Sequence, residues 1–394
     1  SRGLGDVYKR QKLYRAVLLT FFLIAGNLYA DTAIVPAFPK ISASSYLLMD
    51  YNSGKILVQE NIHQKLAPAS LTKIMTVYVI GHELEKGTIS LSDEVYISDT
   101  AYNTFGSRMF VEVNSKVKLE DLMYGVIIQS GNDASVALAE HVSGSDISFA
   151  ALMNQHAENL GMNNTYFVNS SGMPVEGGGN YTTAHDLAIL SQALIREHPE
   201  IYKLHVIKEY TYGEKKAITQ YNRNRLLWRD QSVDGIKTGH TDEAGYCLVA
   251  SAIRNNMRLI SVVMGADSKN SRVKSSQTIL NHGYRFFQTH KLYDAGDEVT
   301  DATIFKANTD SVGLVIEDDL YVTIPRGQYD QLESVVEIDK KIIAPVNQGL
   351  KLGVLSIVLS DENIKSVSLL ANKNIPKGGI FNQLKDQIRL LLLK

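Results

Sequence analysis

The stretch that most constrains this chain is Ala67-Pro68-Ala69-Ser70-Leu71-Thr72-Lys73-Ile74-Met75-Thr76-Val77-Tyr78-Val79-Ile80. It reads as the start of a helix. Pro68 suits a first turn, where its missing N–H costs nothing. Gly87 is a fitting C-terminal stop. Behind Lys73, the residues Ile74, Met75, Val77, Tyr78, Val79, Ile80 and Leu84 are apolar on almost every side. Such a helix belongs inside a protein, so the rest of the domain must wrap it. Ser70 and Lys73 stand three apart at its head and share a face. A buried helix with a hydroxyl and an amine at its N-terminus is a nucleophile platform. The hydroxyl needs a base, and the amine is near enough to be one.

The chain is long enough to bury that helix: 394 residues allow two or three domains. Apolar residues make up 44% and charged residues 21%, as in a globular protein. A net charge of −2 gives no footing for nucleic acid. The only cysteine, Cys247, can form neither an internal disulfide nor a zinc site by itself.

Residues 1–30 divide into a foreign-looking leader, Ser1 to Gln11, and a secretory signal peptide. The latter has Lys12 and Arg15, the apolar run Ala16 to Ala25, and a small residue, Ala30, at the expected cut. Residues 31–290 read as the main domain. Ser45 to Asp50 and Lys55 to Gln59 form a hairpin around Asn52-Ser53-Gly54. The platform helix follows. A second helix starts near Leu119 and breaks at Ser130-Gly131-Asn132-Asp133, and a third resumes at Ala134. Further helices are expected at 146–160 and 183–197, with a Gly-rich loop from Ser170 to Asn180 between them. Strands are expected at 234–240, 246–252 and 257–264, then a closing helix near 272–289. This order predicts an α+β domain: one antiparallel sheet built from both ends of the segment and covered by helices. Residues 291–375 carry short strands separated by turns, a small all-β domain. Residues 376–394 form an amphipathic helix with the stripe Ile380, Phe381, Leu384, Ile388, Leu391 and Leu392. It is too short to span a bilayer and suits lying on a membrane surface, the other reading being a terminal helix docked on the β domain.

The chemistry lies in a set of short motifs, each weak alone. Ser-x-x-Lys recurs at Ser115/Lys118 and Ser271/Lys274, and Ser-x-Asn recurs at Ser268/Asn270. Specificity comes from the ordered trio: Ser70/Lys73 at a helix head, Ser130/Asn132 in a break between helices, and Lys237-Thr238-Gly239 on a strand. With these motifs, the chain resembles the low-molecular-mass penicillin-binding proteins, the serine D-alanyl-D-alanine carboxypeptidases. The likeness runs from about Ser44 to the C-terminus. It is close at Gln129 to Ala134, at Asn222-Arg223-Asn224 and at Val233 to Asp242. Cys247 departs from the family, where Asn is expected.

The resemblance implies a penicillin-binding, β-lactamase-like domain followed by the β domain and an anchor helix at the periplasmic face of the inner membrane. Its substrates would be peptidoglycan stem peptides, with β-lactams as covalent ligands and no metal or cofactor. Ser70 would attack the carbonyl between two D-alanines. A lysine with pKa near 10.4 is a poor base at neutral pH, so burial and a Lys237 cation must lower Lys73. Ser130 would pass a proton to the leaving amine and Asn132 would hold the substrate amide. Lys237 would add positive potential and Thr238 would bind the terminal carboxylate. Backbone N–H groups of Ser70 and His240 would form the oxyanion hole beside Gly239. Arg223 and Arg272 are candidate carboxylate helpers.

Other classes share parts of this pattern. A class A β-lactamase needs a further glutamate in a Glu-x-x-Leu-Asn setting, and neither Glu158 nor Glu176 has it. A D,D-endopeptidase shares all three motifs and differs in which cross-linked peptide enters. A peptidoglycan-binding module would have no need of Ser70. A His-Glu-x-x-His zinc peptidase is excluded, because Lys86 stands where the second histidine belongs after His82-Glu83.

Overall fold

The computed structural model describes residues 35–213 and 217–392. The leader and signal peptide lie outside the described residues. In chain order, β1 (Ser45–Asp50) and β2 (Ile56–Glu60) form the expected hairpin. A 3₁₀ turn, Ala69–Thr72, leads into α1 (Lys73–Glu85). β3 (Glu94–Tyr96) pairs with β4 (Lys116–Lys118). Next come α2 (Leu119–Tyr124), a π-helical turn (Gly125–Gln129), α3 (Asn132–Ser143), α4 (Asp146–Asn159) and α5 (Ala184–Glu197). β5 (Glu209–Tyr212) and β6 (Ile218–Tyr221) form a ribbon. β7 (Val233–Thr241), β8 (Gly245–Arg254) and β9 (Met257–Ala266) form the meander, closed by α6 (Lys269–Phe286).

The main sheet is five-stranded in the order β2-β1-β9-β8-β7. Its two halves come from opposite ends of the segment, as the sequence order predicts. Helices cover both faces. Along β8, Cys247 and Val249 pack with α1, whereas Leu248, Ala250 and Ala252 pack with Ile279 and Leu280 of α6. This is the period-two alternation of a strand buried on both sides. The strands therefore read as continuous apolar runs. α1 lies at the centre of the larger core, with every residue from Lys73 to Gly81 buried. Ile74, Met75, Val77, Val79 and Ile80 are each at most 1% exposed. Together they contribute about 10 kcal/mol of burial energy, enough to offset the several kcal/mol, roughly, of placing an amine there.

Three local expectations need correction. Ser70 sits in the 3₁₀ turn, and Pro68 caps it from outside, so α1 proper begins at Lys73. The break between helices is only Ser130 and Gly131, and Asn132 and Asp133 already open α3. The closing helix ends at Phe286, and residues 287–289 belong to a strand. The ribbon β5–β6 went unrecognised, because its polar alternation resembles a loop.

Beyond α6 the chain is β-rich. β10 (Phe287–Tyr293) pairs with β13 (Leu320–Pro325). β11 (Glu298–Phe305), β12 (Ser311–Val315), β14 (Leu332–Ile338), β15 (Ile342–Ile343), β16 (Lys351–Leu359) and β17 (Glu362–Ala371) make a six-stranded sheet. Its core includes Leu314, Leu355, Ile357 and Leu369. The all-β expectation holds, with β10, β11 and β15 additional to the strands read from sequence. α7 (Ile380–Leu392) packs by its polar edge. Asp386 is buried and accepts a hydrogen bond from Lys306 N at 2.6 Å, and the Arg389 guanidinium lies 5.8 Å from the Phe305 ring. The apolar stripe faces outward, with Ile380 82% and Phe381 89% exposed. No helix among the described residues is long and apolar enough to cross a membrane.

Candidate active site

The platform turn, the Ser130–Asn132 break and the β7 strand converge. Ser70 is half-buried, while Lys73 is fully buried. Lys73 Nζ has three oxygens within reach: Ser171 O at 2.6 Å, Asn132 Oδ1 at 2.7 Å and Ser70 Oγ at 3.2 Å. The two shorter contacts can only accept. A neutral amine has two hydrogens and one lone pair. Its hydrogens are therefore spent on Ser171 O and Asn132 Oδ1, which leaves the lone pair for the Ser70 hydroxyl proton. Lys73 is pushed down to about 7, first by burial and then by the Arg223 cation, against the carboxylates of Asp133 and Asp146. Arg223 thus joins Lys237 as a cation acting on Lys73, since the repulsion between the two buried lysines is mutual.

Lys237 is buried and donates to Thr238 O at 3.2 Å. Burial, then Lys73, Arg223 and Arg272, hold it well below the usual lysine range. Thr238 is buried beside it. Gly239 is required by close approach: a Cβ there would lie 2.7 Å from Pro68 O and 3.3 Å from Leu71 N. Gly239 thus lets β7 press against the nucleophile turn. Gly172 does the same from the other side. It has φ +80°, and a Cβ would fall 1.8 Å from Ala69 O. Between these two glycines the turn is fixed with Ala69 at φ +47°, a left-handed conformation that alanine rarely adopts.

Ser130 is buried and also left-handed, at φ +67°. Its Oγ has no hydrogen-bond partner among the described residues, so its hydroxyl is free to turn toward a ligand. Asn132 Nδ2 donates to Phe105 O. His240 is exposed, its Nδ1 3.0 Å from Gly245 O and its ring stacked on Tyr246 at 3.9 Å. Arg223 is an exposed residue, and partial desolvation of its guanidinium pulls it below the usual arginine range. Arg272 is buried, and its Nη1 donates to Gly239 O at 2.9 Å and Cys247 O at 3.3 Å. It ties down the end of β7, so its hydrogen-bonding reach toward a ligand is smaller than expected, though its charge is felt at Lys237. Cys247 is not remote: it pairs directly across the ladder from Gly239. Burial pushes its thiol up to about 11, which keeps it protonated and unreactive.

Sequence reasoning missed Ser171, whose contribution is a carbonyl that any residue would supply. It also missed Gly172, which only the Ser-Ser-Gly turn hinted at. Among the described residues, no group of histidine, cysteine and carboxylate side chains is arranged to hold a metal.

Comparison with known proteins agrees with this geometry. Residues 32–268 match the family model for D-alanyl-D-alanine carboxypeptidase, and residues 287–377 match that for the C-terminal domain of penicillin-binding protein 5. The chain is 39% identical to D-alanyl-D-alanine carboxypeptidase DacA of Escherichia coli strain K12, over 98% of this chain and 96% of that protein. Penicillin-binding protein 5 from Haemophilus influenzae superposes with a TM-score of 0.83 at 40% identity, covering 87% of this chain and all of that one. Penicillin-binding protein D2 from Listeria monocytogenes, in an ampicillin-bound form, gives 0.58 at 29% identity over 63% of this chain and all of that one. The chain therefore belongs to the D-alanyl-D-alanine carboxypeptidase family.

Proposed function

We propose that this protein removes the terminal D-alanine from peptidoglycan stem peptides through an acyl-enzyme on Ser70. The observation that carries the reading is Lys73, a buried amine that two acceptors orient with its free side toward Ser70 Oγ. Ser70 Oγ attacks the carbonyl between the two D-alanines while Lys73 takes its proton. The oxyanion forms between the N–H groups of Ser70 and His240. As the C–N bond breaks, Ser130, with its unpartnered hydroxyl, gives its proton to the departing amine and takes in return the one Lys73 accepted from Ser70, which leaves Lys73 neutral again. Water then hydrolyses the ester and restores Ser70.

Asn132 holds the substrate amide. Thr238 receives the terminal carboxylate beside the backbone of Gly239, with Lys237, Arg223 and Arg272 adding positive field. An arriving carboxylate favours the charged form of Lys237 and reverses part of its depression. A β-lactam offers the same carboxylate and a strained amide. Incubation with penicillin is expected to add one penicilloyl mass, mapped to the peptide containing Ser70. An unmodified protein by mass spectrometry would contradict the reading.

The substrate is a wall polymer, so the protein acts outside the cytoplasm, on the periplasmic face of the inner membrane. The outward apolar stripe of α7 supports peripheral attachment there. Deleting residues 380–394 should move the protein from the membrane pellet to the supernatant without loss of penicillin binding. Truncated protein that still pellets would contradict the attachment.

A further inference from the structure

The scheme above gives no task to the carboxylate that the main chain grips most firmly. Asp133 follows Asn132 in the first turn of α3 and is fully buried. Its Oδ1 accepts from Met109 N at 2.8 Å and Ala134 N at 2.9 Å. Its Oδ2 accepts from Phe110 N at 2.8 Å and Val111 N at 3.4 Å, with Arg108 Nε 3.8 Å away. A residue that only capped α3 would stop at Ala134 N. Three of these four bonds go instead to an irregular strap, residues 105–111.

That strap returns to Asn132 from its other end. Phe105 O accepts from Asn132 Nδ2, Ser107 O accepts from Asn132 N at 2.7 Å, and Ser107 Oγ donates to Gln129 O at 2.7 Å. Phe105 O can only accept, so the amide must present its NH₂ group there and its oxygen to Lys73. Gly106, at φ +85°, makes this fit possible, because a Cβ would sit 2.9 Å from Asn132 Nδ2.

We propose that Asp133 is a positioning residue for acylation: by pinning the strap it fixes the orientation of the Asn132 amide, and through it the direction in which Lys73 faces Ser70. The inference rests on Lys73 acting as the base. The charged groups felt at Lys73 are Arg223 and Lys237, which lower it, and Asp133 and Asp146, which raise it. Asp133 thus acts on Lys73 by geometry and by charge, and two substitutions separate these effects.

Acylation by a β-lactam is measured against pH in the full chain, alongside thermal unfolding. Asp133→Asn puts an NH₂ against strap N–H groups and removes the charge. We expect at least a tenfold lower acylation rate and an acid limb displaced to lower pH. Asp133→Glu keeps the charge but misfits the strap, so the rate should fall while the limb stays in place. A lower melting temperature with rate and limb unchanged in Asp133→Asn would reduce the residue to a structural one and overturn the proposal. If Asp133→Asn does not fold, Ser107→Ala carries the test, since it cuts only the strap's tie to Gln129. A severalfold slower acylation is expected, and a wild-type rate overturns the proposal. Wild type serves as the control: if it fails to acylate, the base assignment falls too, whereas an active wild type with indifferent variants refutes Asp133 alone.

Discussion

Replacing Lys73 with glutamine should cut acylation of Ser70 by roughly 10²–10⁴-fold, the range of a lost general base, while leaving the fold intact. Glutamine has nearly the same reach and can donate to Ser171 O and Asn132 Oδ1 through its NH₂ group, so the buried acceptors stay satisfied. What it lacks is a lone pair basic enough for the Ser70 proton. An ordinary lysine, with pKa near 10.4, would be neutral in only about one molecule in 2,500 at pH 7. Pushed down to about 7, Lys73 is neutral in about half. The environment therefore supplies about three orders of magnitude in active base. The sign follows directly. The neutral amine is the working form, so the wild-type rate should fall as pH drops through about 7, and the glutamine variant should lack that limb. A variant within tenfold of wild type, or a wild-type rate flat from pH 8 to pH 5.5, would contradict the assignment. Removal of a buried amine also ends its desolvation cost, so the variant should melt no lower than wild type.

Ser70→Ala should have the larger effect, because no other hydroxyl stands where Ser70 does. Ser130 lies nearby, but its position at a left-handed turn before α3 gives it no contact with Lys73 Nζ, whose three partners are already accounted for. The variant should release no D-alanine and take up no penicillin. It should keep the wild-type fold, since one half-buried hydroxyl contributes little to stability. A melting curve matching wild type, together with a dead site, separates the loss of a nucleophile from the loss of structure.

The platform helix, the sheet drawn from both ends of the segment and the trio of motifs were all legible in the sequence. Each rests on side-chain periodicity or on residue types that chemistry demands. Helix ends were less so. Residues 287–289, Phe-Gln-Thr, contain no helix-stopping Gly or Pro, and only pairing with β13 turns them into strand. The strands Glu209–Tyr212 and Ile218–Tyr221 are four residues each with polar residues interleaved, too short for the alternation to mark them as paired. Within the site, the active side chains were readable, but their supports were not. Ser171 acts through a carbonyl, Asp133 through backbone donors from residues 109–111, and Gly172 through the absence of a Cβ. Arg223 was read from the sequence only as a carboxylate helper, and only its placement shows that it also acts on Lys73.

The most direct test of the account is release of free D-alanine from diacetyl-Lys-D-Ala-D-Ala by wild type and by Ser70→Ala. We expect steady release from wild type and none above background from the variant. Release by Ser70→Ala at a rate near wild type would contradict the account, since the bond would then be broken without the nucleophile around which this site is built.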